Sequence, residues 1–422
     1  MPMLLGTKGN DILQWRASAD LVALLKGKLA RKWEQSPSGE AQSFLDQYIV
    51  ALREELGYET QLTDEIDALN EGFAAAGSPD KILPLKARYL EVVSAHFRRR
   101  RSVLALNELC CALHDLLLAK AITLAEQRML RMGQGTAPAY ALLVAGDRGR
   151  GEQTLKGKNR YFLLHGEQDR FSLFQRQVAT ALQDFGLHGE NATLWHGSLR
   201  QWREWLGDPA EPAGVWQEPF PAPLPPFAAP QRIPARETPD AEWRPGTLAD
   251  LSFIRGEATL AAEALAAAAR SLQGEINRDP FLQTARQAMA LPLALGRFGR
   301  WRLERDGERK GELNLTEFAL APLVMALRVL ALHAGIQARG TVERIQRLLE
   351  EGALDLDLAQ RTLQAFQCLM QLRILIEMRG EEGDSFCRPE EFSAETEYRF
   401  RSALDAIASL QKVGNQRLLG QV

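Results

Sequence analysis

Cysteine is scarce in this chain, with four residues in 422. None of the four stands at the spacing of metal ligands, and Cys110 and Cys111 are neighbours in a predicted helix, where they point in different directions. The sequence therefore gives no sign of a cysteine-held metal or a disulfide framework. We expect buried free thiols in a reducing compartment.

A strong charge of one sign is also absent. The formal net charge is -3, which excludes a global attraction to nucleic acid or to an anionic membrane, so a polyanion site would have to be a local patch. No run approaches the ~18 apolar residues that a membrane span requires, and the first residues do not form a basic and then apolar leader. We expect a cytoplasmic protein without a membrane or nucleic-acid partner.

Helical periodicity is what the chain has instead. Apolar residues recur at helical spacing in residues 11–76, 82–97 and 103–132, and Ser78, Pro79 and Asp80 predict the start of the helix before the second of these stretches. Aromatic residues make up only 7%. After Pro280 the same pattern predicts four helices of an antiparallel bundle, at residues 316–335, 342–351, 356–378 and 393–413.

The middle third of the chain carries strand signals. Residues 140–145 form a short apolar run that ends at Gly146, as expected for a buried strand leaving its sheet. Further strands are predicted at residues 160–165, 192–195 and 251–254. Eleven of the 20 prolines fall between residues 209 and 245, which excludes helix and central strand there.

These elements predict an α+β fold that is mostly helical, with a small mixed sheet in the middle of the chain. We divide it into an N-terminal helical region (1–134), a central domain with a Pro-rich insertion (135–280) and a C-terminal helical bundle (281–422). Any site that the sheet positions should therefore lie in the central domain, where the most informative motif is also found.

That motif is the sequence GDRGRGEQTL at residues 146–155, which follows the first predicted strand. Gly146 and Gly149 would let the backbone approach a ligand closely, and the N–H groups of such a turn can bind phosphate oxygens. Arg150 would add a charge-assisted donor. A glycine-rich turn of this form is common, so the motif by itself is a weak signal of phosphate binding.

The run GRGEQTL at residues 149–155 resembles the signature of a nucleotidyltransferase family related to protein-PII uridylyltransferases, whose members are often fused to CBS and cyclic-nucleotide-binding domains. Residues 104–109 (LALNEL) and 341–345 (TVERI) resemble other parts of the family, and the likeness covers about residues 82–413. The resemblance implies a polymerase-β-like sheet, a C-terminal substrate-binding bundle, and transfer of a nucleotidyl group with two divalent metals.

The family's metal site is the part that this chain does not match. The resemblance implies an Asp-x-Asp pair on the second strand, because residues i and i+2 share a face, and a third carboxylate from a later strand. Alignment through the glycine-rich turn places Lys158 and Arg160 at the pair, while Asp147 replaces the usual serine of the turn. Asp250 is the candidate for the third carboxylate, so no metal-binding residue is confidently retained.

Three hypotheses remain open. The site is a relic in which Asp147 and Asp250 pair with Lys158 and Arg160, and the protein is a regulatory or interaction protein of signal transduction whose partner is another protein. Alternatively, the cations replace the metals and bind a nucleotide or phosphate, with Gly146, Asp147, Gly149, Arg150, Lys158 and Arg160 as the binding residues. In the third hypothesis, a non-standard site that uses Glu152 or Asp147 still transfers a nucleotide to a protein or small molecule, with Mg2+ and a nucleoside triphosphate as cofactors.

A second basic feature is the run of four arginines at residues 98–101. Such a run could contact phosphate or RNA. It is equally typical of a solvated junction between helices, and both interpretations stay open at this point.

Overall fold

The computed structural model describes residues 41–166, 171–187, 192–207, 244–276, 279–296, 299–380 and 385–419. The helices predicted before residue 41 and nearly all of the Pro-rich stretch lie outside the described residues. The chain divides into two compact units, Met1–Leu106 and Asn107–Val422, which are considered separately. The boundaries that we placed at residues 134 and 280 stay predictions.

The first unit contains two long helices, α1 (Ala41–Ala75) and α2 (Pro79–Arg100). As the sequence predicts, α2 begins after Ser78, whose backbone is extended, with Pro79 in the first turn and Asp80 at the positive end of the helix dipole. The helix ends at Arg100, and the next residue, Arg101, caps it in a left-handed conformation with φ 57°. Phe73 and Tyr89 are among the buried aromatic residues between the two helices.

The second unit is built on a four-stranded mixed sheet. Its strands are β1 (Tyr140–Gly146), β2 (Asn159–His165), β3 (Ala192–Ser198) and β4 (Ser252–Gly256), in the order β3-β2-β1-β4. Strand β1 is central and pairs antiparallel with β2 and β4, whereas β2 and β3 are parallel. A central strand is buried on both faces, which explains the continuous apolar run at this position.

One face of the sheet is covered by helices. The helices on this face are α5 (Leu199–Leu206), α6 (Arg244–Ala249) and α7 (Ala258–Glu275), whereas α4 (Phe171–Asp184) contacts Tyr140 of β1 through Phe174 and Arg128 through Asp184. Phe162, Leu164 and Trp202 belong to one core cluster with the alanines of α7. The indole of Trp202 donates a hydrogen bond of 2.9 Å to the Ala264 carbonyl, so its polar atom is satisfied within the core.

A helical bundle follows. Helix α3 (Val103–Arg131), earlier in the chain, contacts the sheet, where His114 forms a hydrogen bond with the Tyr161 hydroxyl of β2. The bundle consists of α8 (Asp279–Met289), α9 (Ala321–His333), α10 (Thr341–Glu350), α11 (Leu356–Glu377) and α12 (Ala394–Leu419). Of these, α9 to α12 confirm the four predicted C-terminal helices. The sequence pattern did not predict α8, nor the two-stranded antiparallel sheet of β5 (Leu313–Asn314) and β6 (Phe386–Cys387). The α+β, mostly helical fold with a small mixed sheet is confirmed.

The start of the helix predicted at 316–335 differs from the expectation. Residues Thr316–Leu320 form a π-helical turn before α9. Pro322 has no N–H to donate to the Phe318 carbonyl, which instead accepts a hydrogen bond of 2.9 Å from the Ala294 N–H. The window Thr316–His333 is apolar and long enough to cross a membrane, but 78% of it is buried within the protein, as in a core helix.

Candidate functional site

The glycine-rich turn connects β1 to β2 and lies against the residues that precede β4. Gly146 has φ +93°, and a side chain there would collide with the Lys158 carbonyl oxygen. A side chain at Gly149 would collide with the carbonyl oxygen of Asp250. Glycine is therefore required at both positions because another backbone segment packs against it.

Most N–H groups of the turn already donate hydrogen bonds within the protein. Asp147 N–H donates to the Lys158 carbonyl at 3.0 Å, and Arg148 N–H donates to Oδ1 of Asn159 at 2.8 Å. The N–H groups of three further residues donate to carbonyls of the same turn: Arg150, Gly151 and Glu152. A phosphate could use these donors only by displacing their present acceptors, so the turn is not an open phosphate cradle in this conformation.

The guanidinium of Arg150 is surrounded by three carboxylates. It contacts Oδ1 of Asp147 at 2.5 Å, Oε2 of Glu152 at 2.7 Å and Oδ2 of Asp250 at 2.8 Å. The side chain of Arg150 is only 9% exposed. Three carboxylates could also surround a metal ion, but here the cation between them is a side chain of the protein.

Asp250 is the most heavily paired of these carboxylates. Besides Arg150, it binds Arg328 of α9 at 2.6 Å through Oδ2 and Arg344 of α10 at 2.8 Å through Oδ1. Burial by itself would raise the pKa of this carboxyl, but the arginines Arg328, Arg150 and Arg344 hold it well below the ordinary value. Asp250 is therefore ionised at neutral pH and its charge is neutralised by guanidinium groups.

Asp147 is held in the same manner from a different helix. Its Oδ2 accepts from Arg373 of α11 at 2.6 Å and from the backbone N–H of Lys158 at 2.9 Å. Burial would raise the pKa of Asp147, but Arg373 and Arg150 lower it to about 2. Burial would also lower the pKa of the Arg373 guanidinium, yet Asp147 and Glu377 raise it above its ordinary value.

Two glutamates extend this cluster to the helical bundle. Oε1 of Glu152 accepts from the backbone N–H of Thr341, the first residue of α10, at 2.5 Å. Glu377 at the end of α11 binds Arg373 at 2.8 Å. We call the whole cluster the arginine–carboxylate network; its carboxylates are Asp147, Glu152, Asp250 and Glu377, and its arginines are Arg150, Arg328, Arg344 and Arg373. With equal numbers of each sign, its formal charges cancel.

Lys158 and Arg160 lie at the edge of the network. Lys158 is exposed, and the contact that it makes with Asp147 comes from its backbone N–H rather than its ammonium group. Nη1 of Arg160 donates to Oγ1 of Thr247 in α6 at 2.7 Å. The sequence suggested that these two side chains would neutralise Asp147 and Asp250, but the cations that bind the two carboxylates at 2.5 to 2.8 Å are Arg150, Arg328, Arg344 and Arg373.

Three of these arginines were missed because they lie in helices far from the motif. Arg328 could have been found from the sequence, because it is the one cation in the apolar stretch from Phe318 to Leu332. In the structure it is 1% exposed. A lone charge in an apolar helix requires a buried partner. Arg373 and Glu377 carried a weaker signal, because an i,i+4 ion pair is common on exposed helix faces.

A metal site is not assembled in the part of the chain that the structure describes. There, no group of three or more His, Cys, Asp or Glu side chains is placed to hold a metal ion. The geometry explains this, because Asp147, Glu152 and Asp250 point at the guanidinium of Arg150 from different sides. Oxygen ligands that Mg2+ would need are thereby used by cations of the protein.

The arginine run at residues 98–101 lies in the first unit and has a different role. Arg99 and Arg100 bind Glu55 at 3.0 and 2.8 Å, and Arg100 also binds Glu59. The guanidinium of Arg99 lies 4.0 Å from the centroid of the Tyr58 ring. These contacts connect α2 to α1, which supports the interpretation of the run as part of a helix junction.

Two family models match the sequence. Residues 87–213 match the one described as "Putative nucleotidyltransferase DUF294". Residues 278–418 match the one described as "Putative nucleotidyltransferase substrate binding domain". No curated protein matches the chain. The glycine-rich turn and β2 lie within the first match, whereas α9, α10 and α11 lie within the second. The chain therefore belongs to the nucleotidyltransferase family that these two models describe.

Proposed function

We propose that this protein does not carry out metal-dependent nucleotidyl transfer and that it acts as a regulatory protein through an interaction with another protein. The observation that carries the proposal is the position of Arg150, whose guanidinium contacts Asp147, Glu152 and Asp250 at 2.5 to 2.8 Å. Each carboxylate that could serve a metal at the turn is engaged by a cation of the chain.

Charge makes the loss of metal chemistry difficult to reverse. Two divalent ions would have to enter beside Arg150, with Lys158 and Arg160 at the positions where the family resemblance expects a pair of aspartates. Two unit charges 4 Å apart interact with about 4 kcal/mol at an effective dielectric of roughly 20. Lys158 and Arg160 would therefore repel the ions, while the carboxylates that could attract them are already neutralised by arginines.

A nucleotide remains a candidate ligand in the absence of metal. Lys158 is exposed at the end of the turn, and Arg160 is half-buried two residues further along β2. Lys158 directly precedes β2 and Arg160 is the second residue of that strand, so the two cations stand two positions apart where the strand begins. We place the binding of a nucleotide phosphate at these two residues, and a role in cytoplasmic signal transduction is the corresponding expectation.

The decisive experiment is calorimetry with each nucleoside triphosphate, with Mn2+ or Mg2+ and with EDTA, together with an assay for pyrophosphate release. We expect the same nucleotide affinity with metal and with EDTA, and no pyrophosphate. Metal-dependent binding with release of pyrophosphate would instead show an active nucleotidyltransferase with a non-standard site.

A double variant tests the identification of the lost metal pair. Lys158→Asp with Arg160→Asp should bind Mn2+ more tightly than the wild type, because two carboxylates would again stand at the spacing that the family resemblance implies for its metal ligands. The matched control is Lys156→Asp, which places a carboxylate on the same turn outside the expected pair. Equal Mn2+ affinity of control and double variant would refute the placement of the pair at 158 and 160.

A further inference from the structure

The carboxylate of Glu377 is bound by three different kinds of donor. Its Oε1 accepts from the Thr154 hydroxyl and from Nε of Arg373, each at 2.8 Å. Its Oε2 accepts from the backbone N–H of Lys156 at 3.1 Å. The side chain is only 1% exposed. Glu377 thus inserts an anion from α11 into the end of the glycine-rich turn.

This part of the turn differs from the part that precedes it. The N–H groups of Arg150 and Glu152 donate to carbonyls of the turn itself. The Thr154 hydroxyl and the Lys156 N–H instead donate to an anion that comes from more than 220 residues further along the chain. A hydroxyl, a backbone N–H and a guanidinium that converge on one carboxylate are also the donors that proteins use to bind phosphate oxygens.

We propose that Thr154, the Lys156 N–H and Arg373 form an anion site for a phosphate group, and that the chain's own Glu377 occupies this site. The inference rests on the proposed function, because it assumes that the glycine-rich turn binds a phosphate group without catalysing its transfer. It adds a second position for a phosphate, distinct from Lys158 and Arg160, and it makes α11 an internal competitor of the ligand.

Competition between Glu377 and phosphate for the same donors would regulate the affinity of the site. A phosphate can bind only in the fraction of molecules in which Glu377 has left, so the apparent affinity is lowered by that fraction. A partner that moves the end of α11 would withdraw Glu377 and raise the affinity for phosphate. Conversely, a bound phosphate would release the ion pair that Glu377 makes with Arg373.

The test is to remove the internal competitor and titrate inorganic phosphate in the presence of EDTA. Glu377→Ala should bind phosphate at least tenfold more tightly than the wild type, and phosphate should raise the melting temperature of this variant more than that of the wild type. The matched control is Asp357→Ala, which removes an acidic side chain from the same helix at a position that is 79% exposed. Adding Thr154→Val to Glu377→Ala should reverse most of the gain.

Two results would overturn the inference. One is a folded Glu377→Ala protein with the phosphate affinity of the wild type. The other is an equal increase of phosphate affinity in Asp357→Ala, because the increase would then come from the change of net charge alone. If Glu377→Ala does not fold, Glu377→Gln keeps the volume of the side chain, and its phosphate affinity relative to the wild type decides instead. None of these outcomes depends on metal or on nucleotide transfer, so they leave the test of the proposed function separate.

Discussion

Arginines converge on a carboxylate in both units of the molecule, but the partners lie at very different distances along the chain. In the first unit, Glu55 binds Arg99 and Arg100 and joins two consecutive helices. In the second unit, Asp250 binds three arginines that are 78 to 100 residues away, namely Arg150, Arg328 and Arg344. The first cluster is a local junction, and the second connects the turn at the sheet to the helical bundle.

The comparison shows which arginines carry functional information. Four consecutive cations at residues 98–101 are conspicuous, yet two of them serve a contact between neighbouring helices. Isolated cations such as Arg328 and Arg344 reach the site, and each is 1% exposed. A cation at that depth is stable only beside an anion, because an unpaired buried charge is strongly destabilising. The distance between partners along the chain therefore distinguishes the two clusters, since Arg100 and Glu55 of the first are also nearly buried, with side chains 6% and 7% exposed.

The largest effect is expected at Asp250. Asp250→Asn removes the charge that three guanidinium groups share, and the free energy of unfolding of the second unit should fall by about 3–5 kcal/mol. Urea denaturation measures it. The control is Asp357→Asn, which breaks an exposed i,i+4 pair with Arg361 and should change the stability by about 0.3–0.5 kcal/mol. A loss at Asp250 no larger than at Asp357 would contradict the importance of the network.

A smaller effect is expected at Glu55 in the first unit. Glu55→Gln removes the shared partner of Arg99 and Arg100, but Arg100 keeps Glu59 and Arg99 is partly exposed. Stability of the first unit should fall by about 1.5–3 kcal/mol. Hydrogen exchange in α1 and α2 measures it. Glu65→Gln is the control, because its partner Arg88 is exposed. If both variants behave alike, the helix junction is no stronger than a surface pair.

The smallest of the three effects concerns pH. The pKa of Asp147 is about 2 in the folded protein, against roughly 3.9 in an unfolded chain. A lowered folded pKa stabilises the protein above the unfolded pKa, here by about 2.6 kcal/mol, and about 2 kcal/mol of this is lost as the pH falls from 4 toward 2. Asp147→Asn should therefore show a shallower loss of stability over that interval, measured by denaturation at each pH. A slope equal to that of the wild type would contradict the lowered pKa.

Much of the fold could be predicted because its signals are local. The apolar run at β1, the proline and aspartate at the start of α2, and the periodicity of α9 to α12 each lie within one element. Helix α8 was missed because it has only 11 residues and contains Pro280 in its first turn, where a proline is equally typical of a break between helices. The π-helical turn was missed because it depends on a contact between the Ala294 N–H and the Phe318 carbonyl.

The site was predictable only in part. The glycine-rich turn, Asp147 and Arg150 were identified from the motif, and Asp250 from its place before β4. Their partners were not, because Arg344 and Arg373 belong to helices that resemble ordinary amphipathic helices in sequence. The roles of Gly146 and Gly149 also changed, since both glycines accommodate neighbouring backbone in this conformation.

The sequence by itself determined most elements of the fold, the glycine-rich turn, and the presence of Lys158 and Arg160 where the family resemblance expects two aspartates. These properties are local, because helix and strand periodicity and a motif are read from neighbouring residues. Only the tertiary structure decided which cations neutralise Asp147 and Asp250, and that Glu377 fills the end of the turn. Such pairs join residues up to 226 positions apart, and charges are matched by the distances between side chains in the folded protein.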